Sequence, residues 1–409
     1  MKAGKIWVDH LDTMGAECFA CEHKLAPQYF TRKRALSFRD VMGYLLKMAK
    51  KSLQIDANQI GDITGEEPVS KQSLSKARYK VGVSAFQALH ADAVRRHYED
   101  SQDHLWQGYR VIGGDGSTLQ LPKEGNLPFF FGDHHKYVVN ARVFQYIDLM
   151  EDTILTSSIM PYSCSENEMA KAELDGLVNN MRSLGQQKQL YVYDRGFPSH
   201  HFVQQHLDNE VDFLFRCPRN FLSETKPYTD KKLDADFNIF VGRKDAQYEA
   251  RIIIRYLSSG QPLILLTSLV DRELHPAEAL CTAYHHRWRC EESYKTQKLL
   301  LQMENFSSKT VHGVLQEFWA TVLMATYINF FMLEEQDKLE NRKVNKTVVF
   351  ASIRDDFLAA TLGYKDPQEV LKKLDYLLKR HTLPTRKNRS YPRRKKTHRR
   401  EGHVYRRSM

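Results

Sequence analysis

Gln189-Leu190-Tyr191-Val192-Tyr193-Asp194-Arg195-Gly196-Phe197 carries the signal on which the fold turns. Leu190 to Tyr193 is a continuous apolar and aromatic run, too short for a helix and rich in strand formers, so it reads as a buried strand. It stops at an acid followed by Arg-Gly. Upstream, Ser165-Glu166-Asn167-Glu168 has the form of a capping box, and the spacing predicts a helix from there to about Leu184, stopped by Gly185. Downstream, a helix is predicted over about Ser199–Asn209 and a strand over Asp212–Cys217. Helices that connect short buried strands point to an α/β architecture, with a mixed sheet and helices on its faces.

Further upstream the pattern is all strand. Tyr109-Arg110-Val111-Ile112 leads into Gly113-Gly114-Asp115-Gly116-Ser117-Thr118, and Tyr137–Met150 and Thr153–Met160 follow, which predicts a three-stranded antiparallel meander over 108–160. Two predicted strands therefore end in an acid beside a glycine. Carboxylates at such positions are where α/β sheets commonly place their chemistry. Beyond Cys217 the rhythm breaks. Polar loops and short strands over 219–273 read as a β-rich insertion, and a helix is then predicted from His275 to about Gln302.

That helix contains Tyr284-His285-His286-Arg287-Trp288-Arg289-Cys290-Glu291-Glu292-Ser293-Tyr294-Lys295-Thr296-Gln297-Lys298. At about 100° per residue, Tyr284, Arg287, Glu291 and Lys298 fall within roughly 60° of one another, with Lys295 close by and Glu292 pointing about 100° away from Glu291. One face would then present a phenol, a guanidinium, a carboxylate and ammonium groups over about 20 Å. Taken alone, this stripe is equally a solvated helix face with ion pairs. Trp288 reads as a core residue.

The first hundred residues read as helical, including a helix capped by Ser37 and a short basic one over 69–80 that is rich in Ser and Gln, side chains suited to phosphates and base edges. The pattern fits a helix-turn-helix-like module and equally a small helical domain with a basic surface. Helices are also predicted over Val311–Asp337, Val348–Phe357 and Pro367–Arg380. The net charge is +10, yet residues 379–409 hold thirteen Lys and Arg against one acid, so that tail carries +12 and the body −2. From His381 onward a basic, disordered tail is expected, and an anionic partner such as nucleic acid is implied. The longest uncharged run, Phe318–Leu333, is 16 residues, short of a membrane span. Six cysteines in a chain of this size suggest thiols in a reducing compartment. Cys18 and Cys21 form one C-x2-C without a second pair, and ordinary thiols are the simpler reading.

Asp115, Asp194 and Glu291 could together hold two divalent cations at a phosphodiester. The motifs point the same way. Tyr284, Arg287, Glu291 and Lys298 match Tyr-x2-Arg-x3-Glu-x6-Lys residue for residue, which resembles the signature of bacterial DDE transposases of the fourth insertion-sequence family. Trp288 and Tyr294-Lys295 are similar to its extended pattern. Asp115-Gly116-Ser117 and Asp194-Arg195-Gly196-Phe197 resemble its two Asp motifs, and Leu265–Leu269 is also similar. The resemblance implies a ribonuclease-H-like core in two parts, 101–218 and 274–345, interrupted by the insertion at 219–273. It further implies an end-binding region at 1–100 and, at 346–409, C-terminal helices with the basic tail.

The resemblance also implies a bacterial, nucleoid-associated enzyme with no membrane attachment. It would bind its element's terminal inverted repeats, cut them by two-metal hydrolysis to leave a 3′-OH, and join that end to target DNA. Asp115, Asp194 and Glu291 would bind two Mg²⁺, with Mn²⁺ as a substitute. Tyr284, Arg287, Lys298, Lys295 and Arg195 would contact the DNA, and a homodimer would form the synaptic complex. Members that flip a base use an aromatic residue of the insertion. There is no Trp between 219 and 273, and neither Tyr256 nor Phe240 is assigned that role. A catalytically silent DNA-binding protein and a nuclease that cuts without joining share the same residue pattern and remain open alternatives.

Overall fold

The computed structural model describes all residues except 1, 33, 49–50, 100, 134–136, 244–245 and 386–409. In chain order the helices are α1 (Lys2–Gly15), α2 (Glu17–His23), α3 (Phe38–Leu46), α4 (Leu53–Thr64), α5 (Lys71–Arg78) and α6 (Ser84–Tyr98). Strand β1 (Arg110–Leu121), α7 (Leu127–Phe131), β2 (Val139–Asp148), β3 (Thr153–Pro161), α8 (Glu166–Ser183), β4 (Gln189–Tyr193), α9 (His200–Asp208) and β5 (Asp212–Arg216) follow. Then come α10 (Lys226–Lys231), β6 (Ala235–Arg243), β7 (Ala246–Tyr256), β8 (Pro262–Thr267), α11 (Ala277–His285) and α12 (Trp288–Lys295). The last elements are α13 (Val311–Gln336), β9 (Arg342–Val344), α14 (Lys346–Leu362), α15 (Pro367–Arg380) and β10 (Thr382–Pro384).

The chain forms two compact units. The first comprises Met1–His97, Leu119–Ala141 and Lys295–Met409. It is built around α13, which is apolar on all sides and buried accordingly. Helix α1 presents Ile6, Trp7, His10, Leu11 and Met14 at helical spacing, and Trp7 packs its ring 4.5 Å from that of Phe357. Ser37 and Asp40 cap α3 reciprocally, as the sequence predicts. Arg78, read in the sequence as part of a phosphate-contacting helix, is instead buried. It pairs with Glu317 at 2.9 Å and donates to the Gly313 carbonyl, because α5 lays its Leu74, Ala77 and Arg78 face inward. The predicted tail also begins later than expected. Thr382–Pro384 pairs with Arg342–Val344 as a short antiparallel ribbon. The rest of the basic tail lies outside the described residues.

The second unit comprises Tyr98–Thr118 and Arg142–Tyr294. Its sheet has the strand order β3-β2-β1-β4-β5-β8-β7-β6. Strands β1, β4 and β5 run parallel, while β8, β7 and β6 continue antiparallel, so the sheet is mixed. The strands of segment 219–273 thus extend this same sheet. Thr267 and Ser268 fasten β8 to β5: the Thr267 hydroxyl donates to the Phe213 carbonyl at 2.7 Å and the Ser268 hydroxyl to Asp212 at 2.7 Å.

Two sequence expectations are corrected here. Strand β1 does not end at Ile112 but continues through the glycines to Leu121. An ideal Cβ on Gly113 would lie 2.8 Å from Cys290 Sγ, and one on Gly114 2.5 Å from the Tyr193 ring. These glycines mark close approach to the strand and not its end. The helix expected over 275–302 is also broken. His286 and Arg287 donate to the carbonyls three residues back, which tightens the chain between α11 and α12, and Thr296–Leu300 is a π-helical turn. A single straight stripe from Tyr284 to Lys298 is therefore not formed.

Candidate active site

Register brings the first two acids together. In the parallel pair of β1 and β4, Gly114 lies opposite Tyr193. The next residues are Asp115 and Asp194, which emerge side by side at about the 4.8 Å spacing of neighbouring strands. The third acid arrives by packing. Because Gly113 has no side chain, Cys290 of α12 presses against β1, and Glu291 follows it immediately. A run of small residues in one element thus sets the height of a carboxylate in another.

Arg287 sits among all three acids. Its Nη1 lies 3.4 Å from Asp115 Oδ2, and its Nη2 lies 3.3 Å from Glu291 Oε1 and 4.0 Å from Asp194 Oδ2. These separations exceed the 2.7–2.9 Å of a tight charge-assisted bond, so the guanidinium is shared loosely. Its Nε is buried with no hydrogen-bond partner. Asp115 is braced by the Gly116 N–H, which donates to Oδ1 at 2.9 Å, and the Tyr294 hydroxyl donates to the Asp115 carbonyl at 3.0 Å. Asp194 accepts from the Tyr284 hydroxyl at 3.0 Å and pairs with Arg216 at 3.5 Å, both through Oδ1.

The two aspartates are tuned in opposite directions. Burial pushes the Asp115 carboxyl up to about 6, against the pull of Arg287 and the Gly116 N–H. Burial also acts on Asp194, but there the Arg195 N–H, Arg287, Tyr284 and Arg216 outweigh it and hold the carboxyl below its usual range. Burial tends to discharge Arg287, yet Tyr284, Asp194 and Asp115 hold its pKa above the ordinary arginine value.

Of the other sequence-predicted residues, Tyr284 is buried and turned toward Asp194, while Arg195 and Lys295 are exposed. Lys298 belongs to the other unit, where it lies 3.5 Å from Glu304. Glu292 is exposed. Trp288 is not the core residue expected: it is 41% exposed. The inward face of α12 is set by Cys290, Ser293 and Tyr294, and Trp288 lies roughly 160° from Cys290 around the helix. Phe240 is 69% exposed on β6, whereas the Tyr256 hydroxyl is tied to the Thr229 carbonyl.

Two side chains were not singled out from sequence. Arg216 ends a buried parallel strand, a place where a charge is itself a signal. Glu166 passed unnoticed because Ser165 and Glu168 account for the helix cap. Its carboxyl fills the space a side chain on Gly116 would take: an ideal Cβ there would lie 2.2 Å from Glu166 Cδ. Arg142 holds Glu166 at 2.9 Å.

The donor set suits a divalent cation. Four carboxylates, counting Glu166, surround Asp115 and Arg287 with hard oxygen donors of the type Mg²⁺ and Mn²⁺ take, and with a surplus of negative charge. Among the described residues no three His, Cys, Asp or Glu side chains are already spaced as a cation cage. In this arrangement the Arg287 guanidinium is the cation between the three acids.

Residues 106–327 match the family described as the transposase DDE domain. Among solved structures, the chain is similar to a piggyBac transposase in a cryo-EM synaptic complex with hairpin DNA. The TM-score is 0.52 at 8% identity, covering 91% of this chain and 85% of that one, a likeness of fold. No curated protein matches the sequence. Among the described residues, no helix is long and apolar enough to cross a membrane. With more than half of its length matched, the chain belongs to the transposase DDE domain family.

Proposed function

We propose that the protein is a DNA transposase of the fourth insertion-sequence family, with Asp115, Asp194 and Glu291 as its acidic triad on a ribonuclease-H-like core. The observation that carries this reading is the convergence of three carboxylates, from β1, the end of β4 and α12, on one guanidinium. The domain reading stays as the sequence suggests: an end-binding region at 1–100, core parts at 101–218 and 274–345 around the segment 219–273, and C-terminal helices with a basic tail at 346–409. The partner is double-stranded DNA, both transposon ends and target, engaged by a homodimer.

Asp115, Asp194 and Glu291 would hold two Mg²⁺ or Mn²⁺. Bound there, the ions supply an activated attacking oxygen and stabilise the leaving oxygen of the phosphodiester. The chain's own residues do the positioning. Tyr284 and Arg216 fix the rotation of Asp194, and the Gly116 N–H fixes that of Asp115, so neither carboxylate has to reorganise. Arg287, once its charge is no longer needed between the acids, is within a side-chain swing of a bound phosphate, and its fork suits a bidentate contact. Lys295, Lys298 and Arg195 add point charges along the DNA backbone.

The test is incubation with the element's terminal inverted repeats, Mg²⁺ and a target plasmid. Cleavage with a free 3′-OH and a joined product is expected, both lost in Glu291→Gln. No cleavage would overturn the assignment. Cleavage that never yields a joined product would make the protein a nuclease.

A further inference from the structure

The first unit holds a cavity of about 560 Å³ between the loop 28–36 and α5. Four cationic side chains line it, Arg32, Arg34, Lys76 and Lys80, and among the described residues none of its lining is Asp or Glu. Nor does any of the four form an ion pair with an acid among the described residues. Elsewhere in this chain basic residues pair repeatedly with acids: Arg96 with Asp9, Lys365 and Lys373 with Asp356, Lys379 with Asp375. Four unneutralised cations around one hollow therefore stand out from the rest of the surface. Like charges held this close repel one another, and an anion removes that cost.

The hollow is not only charged. Tyr29 and Phe30 also line it, and both rings are partly open. Lys80 lies 5.6 Å above the Tyr29 ring, and Phe30 meets Phe38 edge-on at 5.4 Å, which fixes the two rings in place. Phe30 has a φ of 57°, a left-handed conformation that a bulky side chain adopts only when its surroundings impose it. The loop thus accepts strain to place an aromatic ring at the mouth of a cationic cavity.

We propose that this cavity binds a single-stranded DNA segment, with phosphates against Arg32, Arg34 and Lys76 and one base stacked on Tyr29 or Phe30. A flat basic face would suit duplex DNA through its phosphates alone. A hollow of ligand size with both cations and aromatic rings suits a nucleotide whose base is free to enter. The assignment rests on the reading of the protein as DNA-acting and names a second place where it holds its substrate.

The experiment uses the full chain, a short single-stranded oligonucleotide carrying 2-aminopurine, the same oligonucleotide as a duplex, and heparin as a polyanion without bases. Binding of the single strand should quench 2-aminopurine fluorescence, and heparin should displace it. Arg32→Glu/Arg34→Glu should weaken single-strand binding about tenfold and lower the slope of log affinity against log salt by about 1. Tyr29→Ala combined with Phe30→Ala should abolish quenching and weaken binding about tenfold. Arg393→Glu/Arg394→Glu in the basic tail removes the same charge and should leave quenching unchanged. Lys76→Glu, on the stable α5, repeats the charge test without touching the loop. Quenching that survives the aromatic double variant, or charge variants in loop and tail with equal effects, would overturn the proposal. Metal-dependent cleavage is scored separately: a protein that cuts DNA without quenching refutes the cavity alone, and one that quenches without cutting refutes the catalytic reading alone.

Discussion

Replacing Arg287 by Ala should make the protein depend on divalent cations for stability. The guanidinium lies 3.3–4.0 Å from three carboxylates. At an effective dielectric near 20, each such pair is worth about 4–5 kcal/mol before desolvation. Arg287 is itself largely buried, and between a sixth and a third of each acid's side-chain surface is open, so solvent screening and desolvation cancel most of that sum. A net loss of about 2 kcal/mol is a reasonable remainder, increased by the repulsion among the acids left behind. For a unit of this size that corresponds to a fall of about 4–8 °C in Tm without added metal. Mg²⁺ or Mn²⁺ at about a hundred times its Kd returns roughly 2.7 kcal/mol. In the wild type the ion must first displace Arg287, so its stabilising effect is smaller. Thermal melts of both proteins with and without Mg²⁺ measure the difference. Equal Tm values in the absence of metal, or equal shifts on adding it, would refute the idea that Arg287 stands in the place of a cation.

Glu291→Gln should abolish cleavage, whereas Glu292→Gln, whose side chain is exposed, should largely preserve it; equal loss in an end-cleavage assay would mean that the wrong acid has been assigned. His206 gives a pH prediction. Burial pushes its pKa down to about 4, and its Nδ1–H donates to the Phe202 carbonyl at 2.7 Å, so the folded state keeps it neutral while the unfolded chain takes up a proton below about 6.5. Its contribution is therefore complete above pH 6.5 and is lost at about 1.4 kcal/mol per unit as pH falls toward 4, roughly 3 kcal/mol in all. Urea unfolding should show that slope in the wild type and not in His206→Gln. Two glycines should behave differently on substitution by Ala. At Gly125 a Cβ would lie 2.0 Å from the Lys309 carbonyl oxygen at a φ of 59°, so a loss of about 2 kcal/mol or more is expected. At Gly116 the obstacle is the movable end of Glu166, so Gly116→Ala should retain its Tm while lowering cleavage.

The strand-helix alternation was legible because short buried runs and capped helices are local signals. Leu190–Tyr193, the Ser165 cap and α15 from Pro367 to Arg380 appear as the residues predict. The three acids were legible as types and spacings, though not their shared contact with Arg287, which depends on a tightened turn after α11. Straight-helix geometry placed Lys298 on the same stripe, and the π turn at Thr296–Leu300 removed the basis for that phase. Trp288 was misjudged because apolar character says only that a residue can be buried, while the face chosen by Cys290 and Tyr294 says which residues are. Glu166 and Arg216 were missed because each reaches the site through space, one past a glycine and one across a neighbouring strand. Arg78 carries the same lesson in reverse: a basic residue in a basic helix is read as a surface charge until a buried Glu317 is found beside it.

The pairing of Gly114 with Tyr193 has a consequence for the kinds of genetic change the protein can survive. Because the separation of Asp115 and Asp194 is inherited from the ladder, many substitutions along β1 and β4 leave it intact. A deletion of one codon between 110 and 114 does not. Every side chain beyond the lesson's point would change face, and Asp115 would leave the side of the sheet on which Asp194 and Glu291 meet. The same deletion in the loop before β6 shortens only a connection. Single-residue indels scanned through the gene should accordingly inactivate in two narrow windows, ahead of residues 115 and 194, that a substitution scan would pass over.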